Sequence, residues 1–412
     1  MRPRRILRVD GEMLDENHGL NLEREKLLGT ARRIVVKVGT STVTGANGEL
    51  SQERVQPIVE SIARLRAAGR QVVLVSSGAI GLGRGWLGLH RSRLNDLVTK
   101  QACAAVGQSL LMNAYKDLFS SCGVKIAQVL LTEDDFSNWR RYSNLRRTME
   151  RLLEFGVLPI VNENDTVSTL ELESVPSGTR KAAFSDNDRL AALVMSGLDA
   201  DALVLLTNVD GFLKSGSHEH HGSSQNGVHP KIVSVVAEVT RELKALAAGP
   251  SSGGRGGMLT KLEAAEIAMN CGGTAIIANG QRREILDRIF AGEGVGTTFL
   301  PSKRLRGKRR WIAYAADVRG RVVVDDGARA AIVGGKASLL RSGVVRIESH
   351  FACMDVVSIL DDGGTEFARG IANCASQETG DTPGKKKHMN VAHRDASRIL
   401  VRRDNIVLLE TP

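Results

Sequence analysis

Residues 34–41 read IVVKVGTS, a run of branched apolar residues that ends in a turn of small residues. A run made mostly of branched apolar residues is typical of a strand buried on both faces of a parallel sheet. Residues 51–68 follow with the spacing of a helix, capped by Ser51 and ended by Gly69, and residues 71–75 read QVVLV. Strand, helix and strand in this order predict a β-α-β unit with parallel strands.

The same alternation continues to about residue 300. Further strands are predicted at residues 125–131, 157–162, 202–207 and 274–279, and further helices at residues 94–119, 143–155, 188–196 and 258–270. Strands that alternate with helices predict a mainly parallel central sheet with helices on both sides. We therefore predict a three-layer α/β domain at residues 32–300. A polar N-terminal extension with a short helix at 20–28 precedes it at residues 1–31.

The pattern changes after the basic segment PSKRLRGKRR at residues 301–310. Short strands separated by tight turns are predicted at residues 322–327, 344–348 and 355–372, with one short helix near Ala328 and a closing pair of strands at 398–409. Short strands of this kind are typical of a small β barrel. We therefore predict a basic linker at residues 301–310 and a barrel domain at residues 311–412.

The composition excludes several classes of protein. Of 412 residues, 42% are hydrophobic and 25% are charged, which excludes a disordered or fibrous chain. No apolar run approaches the ~18 residues that a membrane-spanning helix needs, so no membrane contact is expected. The five cysteines form no C-x-x-C pair and predict neither a disulfide framework nor a zinc ribbon. Because no secretory signal is recognised in the first residues, a cytoplasmic location is expected.

The net charge of +10 is unevenly distributed along the chain. Residues 1–33 carry 8 basic and 6 acidic groups, residues 34–300 carry 28 and 27, and residues 301–412 carry 20 and 13. Most of the surplus therefore lies in the last quarter of the chain, where it favours a partner that carries phosphate groups. RNA contact is accordingly a hypothesis for the barrel domain and its linker only.

Small and polar residues follow the predicted strands, where open α/β sheets bind their ligands. Lys37 lies near the end of the first strand, and Gly39 after it allows backbone N–H groups to approach an oxyanion. The comparable segments are SSGAIGLG at 76–83, NEND at 162–165, SDND at 185–188, TNVDG at 207–211 and GGRGGMLTK at 253–261. Each also fits a simpler interpretation, since glycine-rich turns are common and Asp186 can be the cap of the following helix. A phosphate site here would be neither a Walker loop nor a dinucleotide-binding loop.

Taken in order, the segments KVGTS, SSGAI, PIVNEND, DND, TNVDG and GGMxTK resemble the amino acid kinase family, and within it the glutamate 5-kinases. The resemblance covers about residues 33–300, and NEND followed by DND is its most specific part. The barrel domain resembles the PUA domain that many bacterial members carry at their C-terminus. This resemblance implies phosphoryl transfer from ATP, with Mg²⁺, to the γ-carboxylate of L-glutamate, which gives L-glutamyl 5-phosphate for proline biosynthesis.

The resemblance also implies roles for individual residues. Lys37 and Lys261 are expected to be the catalytic cations, and Asp188 the carboxylate that holds both lysines. An acceptor carboxylate with a pKa near ~4.3 is already ionised at pH 7, so the reaction needs charge neutralisation rather than a general base. The residues expected to bind glutamate are Ser77, Gly78, Asn162, Asp165, Asp186 and Asn187. The residues expected to bind the nucleotide are Lys37, Gly39, Thr207, Asn208, Arg255, Gly256, Gly257, Met258, Leu259, Thr260 and Lys261.

Two departures from the family pattern concern the nucleotide. Asn208 stands where the family commonly has Asp, and Leu259 stands where Ser is usual. Both are expected to affect nucleotide affinity or preference, while the two lysines and Asp188 keep the expectation of an active enzyme. No metal site is predicted, because the histidines at 218–221 lie in a hydrophilic loop without an apolar frame.

Two alternatives to this function stay open at the level of sequence. The same scaffold serves kinases of acetylglutamate, aspartate and nucleotide monophosphates, so the acceptor is the first open point. The second alternative is a binding protein whose basic PUA-like domain contacts RNA. The resemblance further implies a homo-oligomer, either a dimer or a tetramer, and feedback inhibition by proline.

Overall fold

The structure is a computed structural model that describes residues 8–9, 12–13, 16–45, 47–167, 187–213, 232–247, 257–302, 305, 307–335, 337–378 and 399–409. Three predicted site residues, Asp186, Arg255 and Gly256, lie outside the described residues, as do the histidines at 218–221. The chain divides into two compact units, and both consist of two segments. The first unit comprises Met1–Glu133 and Asn144–Arg304, and the second comprises Asp134–Ser143 and Leu305–Pro412.

Strands and helices alternate through the first unit. Its strands are β1 (Arg8–Val9), β2 (Glu12–Met13), β3 (Arg33–Val38), β4 (Gln71–Val75), β5 (Ile126–Leu131), β6 (Leu158–Glu163), β7 (Ala202–Thr207), β8 (Val235–Val236), β9 (Thr274–Asn279) and β10 (Thr297–Phe299). Its helices are α1 (Glu16–Thr30), α2 (Thr40–Val43), α3 (Gln52–Ala67), α4 (Ala79–Trp86), α5 (Leu97–Ser121), α8 (Asn187–Leu198), α9 (Arg241–Ala247), α10 (Met258–Asn270) and α11 (Ile285–Phe290). Helices α6 (Glu133–Ser137) and α7 (Trp139–Glu154) contain residues of both units.

Eight strands of the first unit form one sheet in the order β5-β6-β4-β3-β7-β9-β10-β8. The neighbours from β5 to β9 are parallel, whereas β10 runs antiparallel to β9 and β8 pairs parallel with β10. The prediction of a mainly parallel central sheet is therefore confirmed. Strands β4, β7 and β9 and helix α10 have the predicted bounds, because their apolar runs end sharply at polar residues.

Side chains of β3 alternate between the two faces of the sheet. Ile34, Val36 and Val38 belong to a core cluster that also contains residues of α3, α5 and α11. Successive side chains of a strand point to opposite faces, so Val35 and Lys37 lie on the other face, where α8 contacts β3. The alternation thus brings the ammonium group of Lys37 to the side of the sheet that carries α8.

Helix α1 lies in the N-terminal segment, and it is longer than the short helix predicted at residues 20–28. Leu28 is 2% exposed and belongs to the core cluster, and Arg24 donates a hydrogen bond from Nη2 to the carbonyl of Gly292 at 2.5 Å. One face of α1 is therefore buried. Helix α1 therefore packs through Arg24 and Leu28 within the predicted N-terminal extension.

Helix α4 forms where the glycine-rich segment after β4 predicted a turn, and it crosses α5 at two glycines. A Cβ atom at Gly107 would lie 1.7 Å from the carbonyl oxygen of Ala79, and one at Gly83 would lie 1.8 Å from that of Cys103. Only glycine permits backbones to approach this closely. The helix forms in spite of its glycines because packing, rather than intrinsic propensity, supplies most helical stability in proteins.

We expect Gly107→Ala to destabilise the first unit by more than about 2 kcal/mol, because the added methyl group forces α4 and α5 apart. At an open helical position the same change stabilises by up to about 1 kcal/mol, since alanine is the better helix former. Gly29→Ala in α1 is the matched control, because a Cβ atom there meets nothing within 4 Å. Urea unfolding measures both variants, and equal stability of the two would contradict the close crossing.

The second unit is built around a six-stranded sheet. Its strands are β11 (Val318–Val324), β12 (Leu339–Leu340), β13 (Val344–Ile347), β14 (Val356–Leu360), β15 (Glu366–Ala372) and β16 (Ile399–Leu408), in the order β12-β16-β15-β14-β11-β13. Strand β11 is parallel to β14, and the other pairs are antiparallel. Residues 399–408 form one strand of 10 residues, so the predicted pair of strands there is wrong. The predicted short helix near Ala328 is α13 (Asp326–Val333), and the Asp325 side chain accepts from the Ala328 N–H to cap it.

A short aromatic segment from the middle of the chain belongs to the second unit. Trp311 donates a hydrogen bond from Nε1 to the carbonyl of Phe136 at 2.7 Å, and the rings of Trp139 and Trp311 meet edge to face at 5.3 Å. Helix α12 (Gly307–Arg310) lies within the predicted basic linker, and its Arg310 is only 2% exposed. Among the described residues of both units, no helix is long and apolar enough to cross a membrane.

Candidate active site

A buried carboxylate between two buried lysines lies beyond the carboxyl ends of the central strands. Lys37 of β3 places its Nζ atom 2.8 Å from Oδ1 of Asp188, and Lys261 of α10 places its Nζ atom 3.0 Å from Oδ2. Asp188 lies in the first turn of α8 and is fully buried, while the two lysines are 4% and 6% exposed. Residues that are far apart in the sequence therefore meet in one cluster, as the resemblance implied.

The charge of this cluster suits an anionic ligand. Two ammonium groups share one carboxylate, so the three side chains together carry one net positive charge. Buried charges are tolerated only where pairing and hydrogen bonds offset their desolvation. The hydroxyl of Thr260 lies beside this ion pair, 2.9 Å from the carbonyl of Gly257 and 3.4 Å from Oδ2 of Asp188, and its single proton can be donated to only one of them. An excess of positive charge among these three side chains attracts an anionic group such as a phosphoryl group.

A network of amides lies beside the cluster, at the start of α8. The amide nitrogen of Asn187 lies 2.8 Å from the carbonyl oxygen of Ser76, 2.8 Å from the hydroxyl of Ser77 and 3.1 Å from Oδ1 of Asn162. Asn162 in turn donates from Nδ2 to Oε1 of Gln108 at 2.8 Å. The structure thus joins three of the residues expected to bind glutamate and adds Gln108 of α5, which the sequence did not predict.

Tyr115 is a second site-adjacent residue that the sequence did not predict. It is 1% exposed in α5, and its hydroxyl lies 2.8 Å from the hydroxyl of Ser76. Burial raises the pKa of Tyr115 to about 12, although the bond with Ser76 counteracts part of the rise. The only available signal was weak: Gln108 and Tyr115 are polar residues two turns apart on the buried stripe of α5 that includes Leu111.

We expect the buried phenol of Tyr115 to make the stability of the protein pH-dependent above pH 10. Its folded-state pKa of about 12 exceeds the ordinary value of 10.0, so the folded state retains the proton to higher pH. The corresponding stability is complete below pH 10 and is lost as pH rises through about 12. Urea unfolding of wild type and Tyr115→Phe should therefore diverge between these pH values by up to about 2–3 kcal/mol, with wild type losing more. A constant difference between the two proteins would contradict the prediction.

The other residues expected to bind glutamate lie at neighbouring strand ends. Gly78 lies between β4 and α4 and caps the N-terminus of α4. Its φ of +101° is in the left-handed region, which residues other than glycine adopt only with strain. Asp165 follows β6 and is half-buried. Gly39 is the corresponding residue after β3, at the N-terminus of α2. Placement at these strand ends agrees with the usual position of ligands in open α/β sheets.

The residues expected to bind the nucleotide begin after β7 and at α10. Thr207 ends β7 and is 8% exposed, and its hydroxyl donates to Oδ1 of the exposed Asn208 at 3.3 Å. The second group of expected nucleotide-binding residues lies at the start of α10. Gly257 caps this helix, and Met258, Leu259 and Thr260 in its first turn are half-buried beside Lys261.

An ion pair fixes the segment that follows Asn208. Oδ1 of Asp210 accepts from Nδ2 of Asn279 at 2.9 Å, and Arg282 contacts both carboxylate oxygens at 3.1 and 2.9 Å. These hydrogen bonds, first that from Arg282 and then that from Asn279, lower the pKa of Asp210. The contacts tie the loop after β7 to the loop after β9, and the sequence did not predict them.

Comparison with protein families agrees with this geometry. The model of the amino acid kinase family matches residues 32–279, which include Lys37, Asp188 and Lys261. The chain belongs to the amino acid kinase family. The PUA domain model matches residues 320–393 of this amino acid kinase, so the prediction of a PUA domain after the kinase domain is confirmed.

Several curated relatives of this amino acid kinase carry the name glutamate 5-kinase. One from Caldanaerobacter subterraneus subsp. tengcongensis is 42% identical over 92% of this chain and 98% of its own length. One from Myxococcus xanthus is 45% identical over 84% of this chain and 87% of its own length, and one from Geobacter sulfurreducens is 39% identical over 94% and 100%. These relatives therefore span both the kinase domain and the PUA domain.

Proposed function

We propose that the chain catalyses the ATP-dependent phosphorylation of the γ-carboxylate of L-glutamate to L-glutamyl 5-phosphate, the first step of proline biosynthesis. The observation that carries the proposal is the buried Asp188, which contacts Lys37 at 2.8 Å and Lys261 at 3.0 Å beside a network of amides. Relatives named glutamate 5-kinase at 42% identity over 92% of the chain support the choice of acceptor.

The proposed chemistry is charge neutralisation in a positioned site. The acceptor carboxylate attacks as an anion, so no side chain has to remove a proton from it. The obstacle is the repulsion between two anions and the charge that spreads over the oxygens of the transferring phosphoryl group. Lys37 and Lys261 supply the two cations, and Asp188 keeps both ammonium groups at fixed positions.

Magnesium enters this proposal as part of the substrate MgATP. Each carboxylate oxygen of Asp188 already contacts a lysine, and no group of three His, Cys, Asp or Glu side chains that could hold a metal is found in the part of the chain that the structure describes. Mg²⁺ commonly keeps several waters and binds through nucleotide phosphates rather than through a protein cage. The arrangement therefore fits a metal that arrives with the nucleotide.

A hydroxylamine trapping assay tests the acceptor. Acyl phosphates react with hydroxylamine to give hydroxamates, so the purified chain is incubated with MgATP, hydroxylamine and glutamate, aspartate or N-acetylglutamate in turn. Product with glutamate alone is the expected result. Product with another acid alone would assign a different acceptor, and no product with any acid would favour the alternative of a protein that binds RNA.

The remaining expectations stay proposals for separate measurements. We propose a cytoplasmic homo-oligomer, either a dimer or a tetramer. Light scattering of the purified protein measures its mass in solution and distinguishes the two. Inhibition by proline is tested by adding proline to the hydroxamate assay. Binding of RNA by the PUA domain is tested by titrating the full chain with RNA. RNA is a candidate partner because residues 301–412 carry a surplus of positive charge, with 20 basic against 13 acidic groups.

A further inference from the structure

We propose that Gln108 is a positioning residue that fixes the amides of Asn162 and Asn187, and thereby makes the acceptor site select a free ammonium group. The inference rests on the proposed function, because it concerns how the same site recognises its amino acid. Gln108 belongs neither to the motifs that carry the family resemblance nor to the lysine cluster. Its role follows from the direction of the hydrogen bonds around it.

The backbone carbonyl of Ser76 determines that direction. A carbonyl oxygen can only accept, so the Asn187 atom 2.8 Å from it must be the amide nitrogen. The same nitrogen lies 3.1 Å from Asn162, which must therefore turn its oxygen, Oδ1, toward Asn187. Asn162 then has only its own nitrogen to offer Gln108, whose Oε1 accepts at 2.8 Å. One backbone oxygen thus fixes the orientation of all three amides.

The hydrogen-bonded amides of Gln108, Asn162 and Asn187 form a relay. One end of this relay is a single acceptor and the other end is a single donor. Oδ1 of Asn187 and Nε2 of Gln108 are both buried, and neither has a hydrogen-bond partner in the part of the chain that the structure describes. Buried polar atoms normally have partners, and those that lack one are candidates for contact with a ligand. An oxygen that can only accept is satisfied by a donor, and an ammonium group offers three hydrogens.

The hydroxyl of Ser77 complements this acceptor. The two hydrogens of Asn187 Nδ2 face three acceptors, Ser76 O, Asn162 Oδ1 and Ser77 Oγ, so one hydrogen is shared. Because Ser77 Oγ acts as an acceptor here, at 2.8 Å, its own proton can be donated to an acceptor such as a carboxylate. One acceptor and one donor at neighbouring positions match the ammonium and carboxylate groups of a free amino acid. An N-acylated acid has a single N–H and an added acyl group, so it satisfies this pair poorly. A site built to bond a substrate N–H discriminates strongly against an analogue that cannot do so.

The position of Gln108 makes it suitable as the fixed end of the relay. Its side chain is 9% exposed, and it follows Gly107, where α5 contacts α4 so closely that only glycine fits. Helix α4 begins directly after Ser77 and Gly78. The crossing of the two helices therefore sets the separation between Gln108 and Ser77, which contacts Asn187.

Steady-state kinetics of Gln108→Met and Gln108→Glu test the inference. Methionine keeps the length of the side chain but cannot accept from Asn162, whereas glutamate retains a carboxylate oxygen at the accepting position. For Gln108→Met we expect KM for glutamate to rise about tenfold, kcat to change by less than about threefold, and KM for ATP to stay unchanged. Discrimination against N-acetylglutamate, measured as the ratio of its inhibition constant to KM for glutamate, should fall about tenfold or more, and Gln108→Glu should restore most of it. Asn113→Met on the exposed face of α5 is the matched control and should leave all constants unchanged.

Each outcome of these measurements decides the inference. Wild-type discrimination in Gln108→Met, or loss of affinity for ATP and glutamate together with a lower thermal midpoint, would overturn a positioning role. Equal impairment of a folded Gln108→Glu would also overturn it, because the retained acceptor should support Asn162. If Gln108→Glu does not fold, the separation of the two KM values in Gln108→Met decides. Failure of the wild-type chain to phosphorylate glutamate would instead refute the proposed function.

Discussion

Lys37→Ala is expected to lower kcat for glutamate phosphorylation by about 10³-fold, because it removes one of two cations that neutralise the transferring phosphoryl group. The loss should appear in kcat more than in either KM, since charge on the phosphoryl oxygens is redistributed most strongly in the transition state. Lys261→Ala should give a loss of the same order. The hydroxamate assay with saturating MgATP and glutamate measures both variants.

The fold of these lysine variants should remain intact, and the reason is electrostatic. Wild type has two ammonium groups for one buried carboxylate, so loss of one lysine leaves Asp188 with the other at 2.8 or 3.0 Å. No buried charge is left without a counter-charge. Lys116→Ala, at an exposed position of α5, is the control for removal of a lysine as such and should keep full activity. Near-normal turnover of Lys37→Ala would refute the proposed role of the cluster.

The elements that were predicted correctly share a local cause. Strands β4, β7 and β9 are nearly continuous runs of apolar residues bounded by a polar residue, and burial on both faces requires such runs. The cluster of Lys37, Asp188 and Lys261 was anticipated for a different reason. Each lies in a motif at a strand end or a helix start, and the topology of the sheet brings such positions together.

The features that were missed depend on contacts between distant segments. Gln108 contacts Asn162, which is 54 positions away, and nothing in the sequence around either residue indicates the pairing. The segment that forms helix α4 was interpreted as a turn because of its small residues, and the packing against α5 makes it helical in spite of the low helix propensity of glycine. Ser51 precedes α3 as predicted, but its side chain makes no capping bond to a backbone N–H and accepts instead from Arg54. Local patterns therefore locate elements and candidate residues, whereas the relay and the helix crossing follow only from tertiary structure.

Asp188→Asn should lower the stability of the protein as well as its turnover, whereas the lysine variants should lower turnover alone. The substitution leaves two ammonium groups, 4% and 6% exposed, without the carboxylate that contacts both. Removal of one partner from a buried ion pair costs about 3–5 kcal/mol, since the remaining charge is desolvated and uncompensated. We expect a loss of stability of this size, measured by urea unfolding of the first unit, together with loss of most hydroxamate formation.

A double variant separates this electrostatic cost from any steric effect of the substitution. Lys37→Met in the background of Asp188→Asn removes one of the two buried ammonium groups that have lost the Asp188 carboxylate, so it should recover part of the lost stability although it deletes a second member of the cluster. The same Lys37→Met change in wild type removes an ion-pair contact and should stabilise far less or destabilise. A change of sign between the two backgrounds measures the coupling between Lys37 and Asp188 directly. Equal effects of Lys37→Met in both backgrounds would mean that Asp188 does not hold the lysine by charge, whereas recovery of stability without recovery of turnover is the result that the proposed mechanism requires.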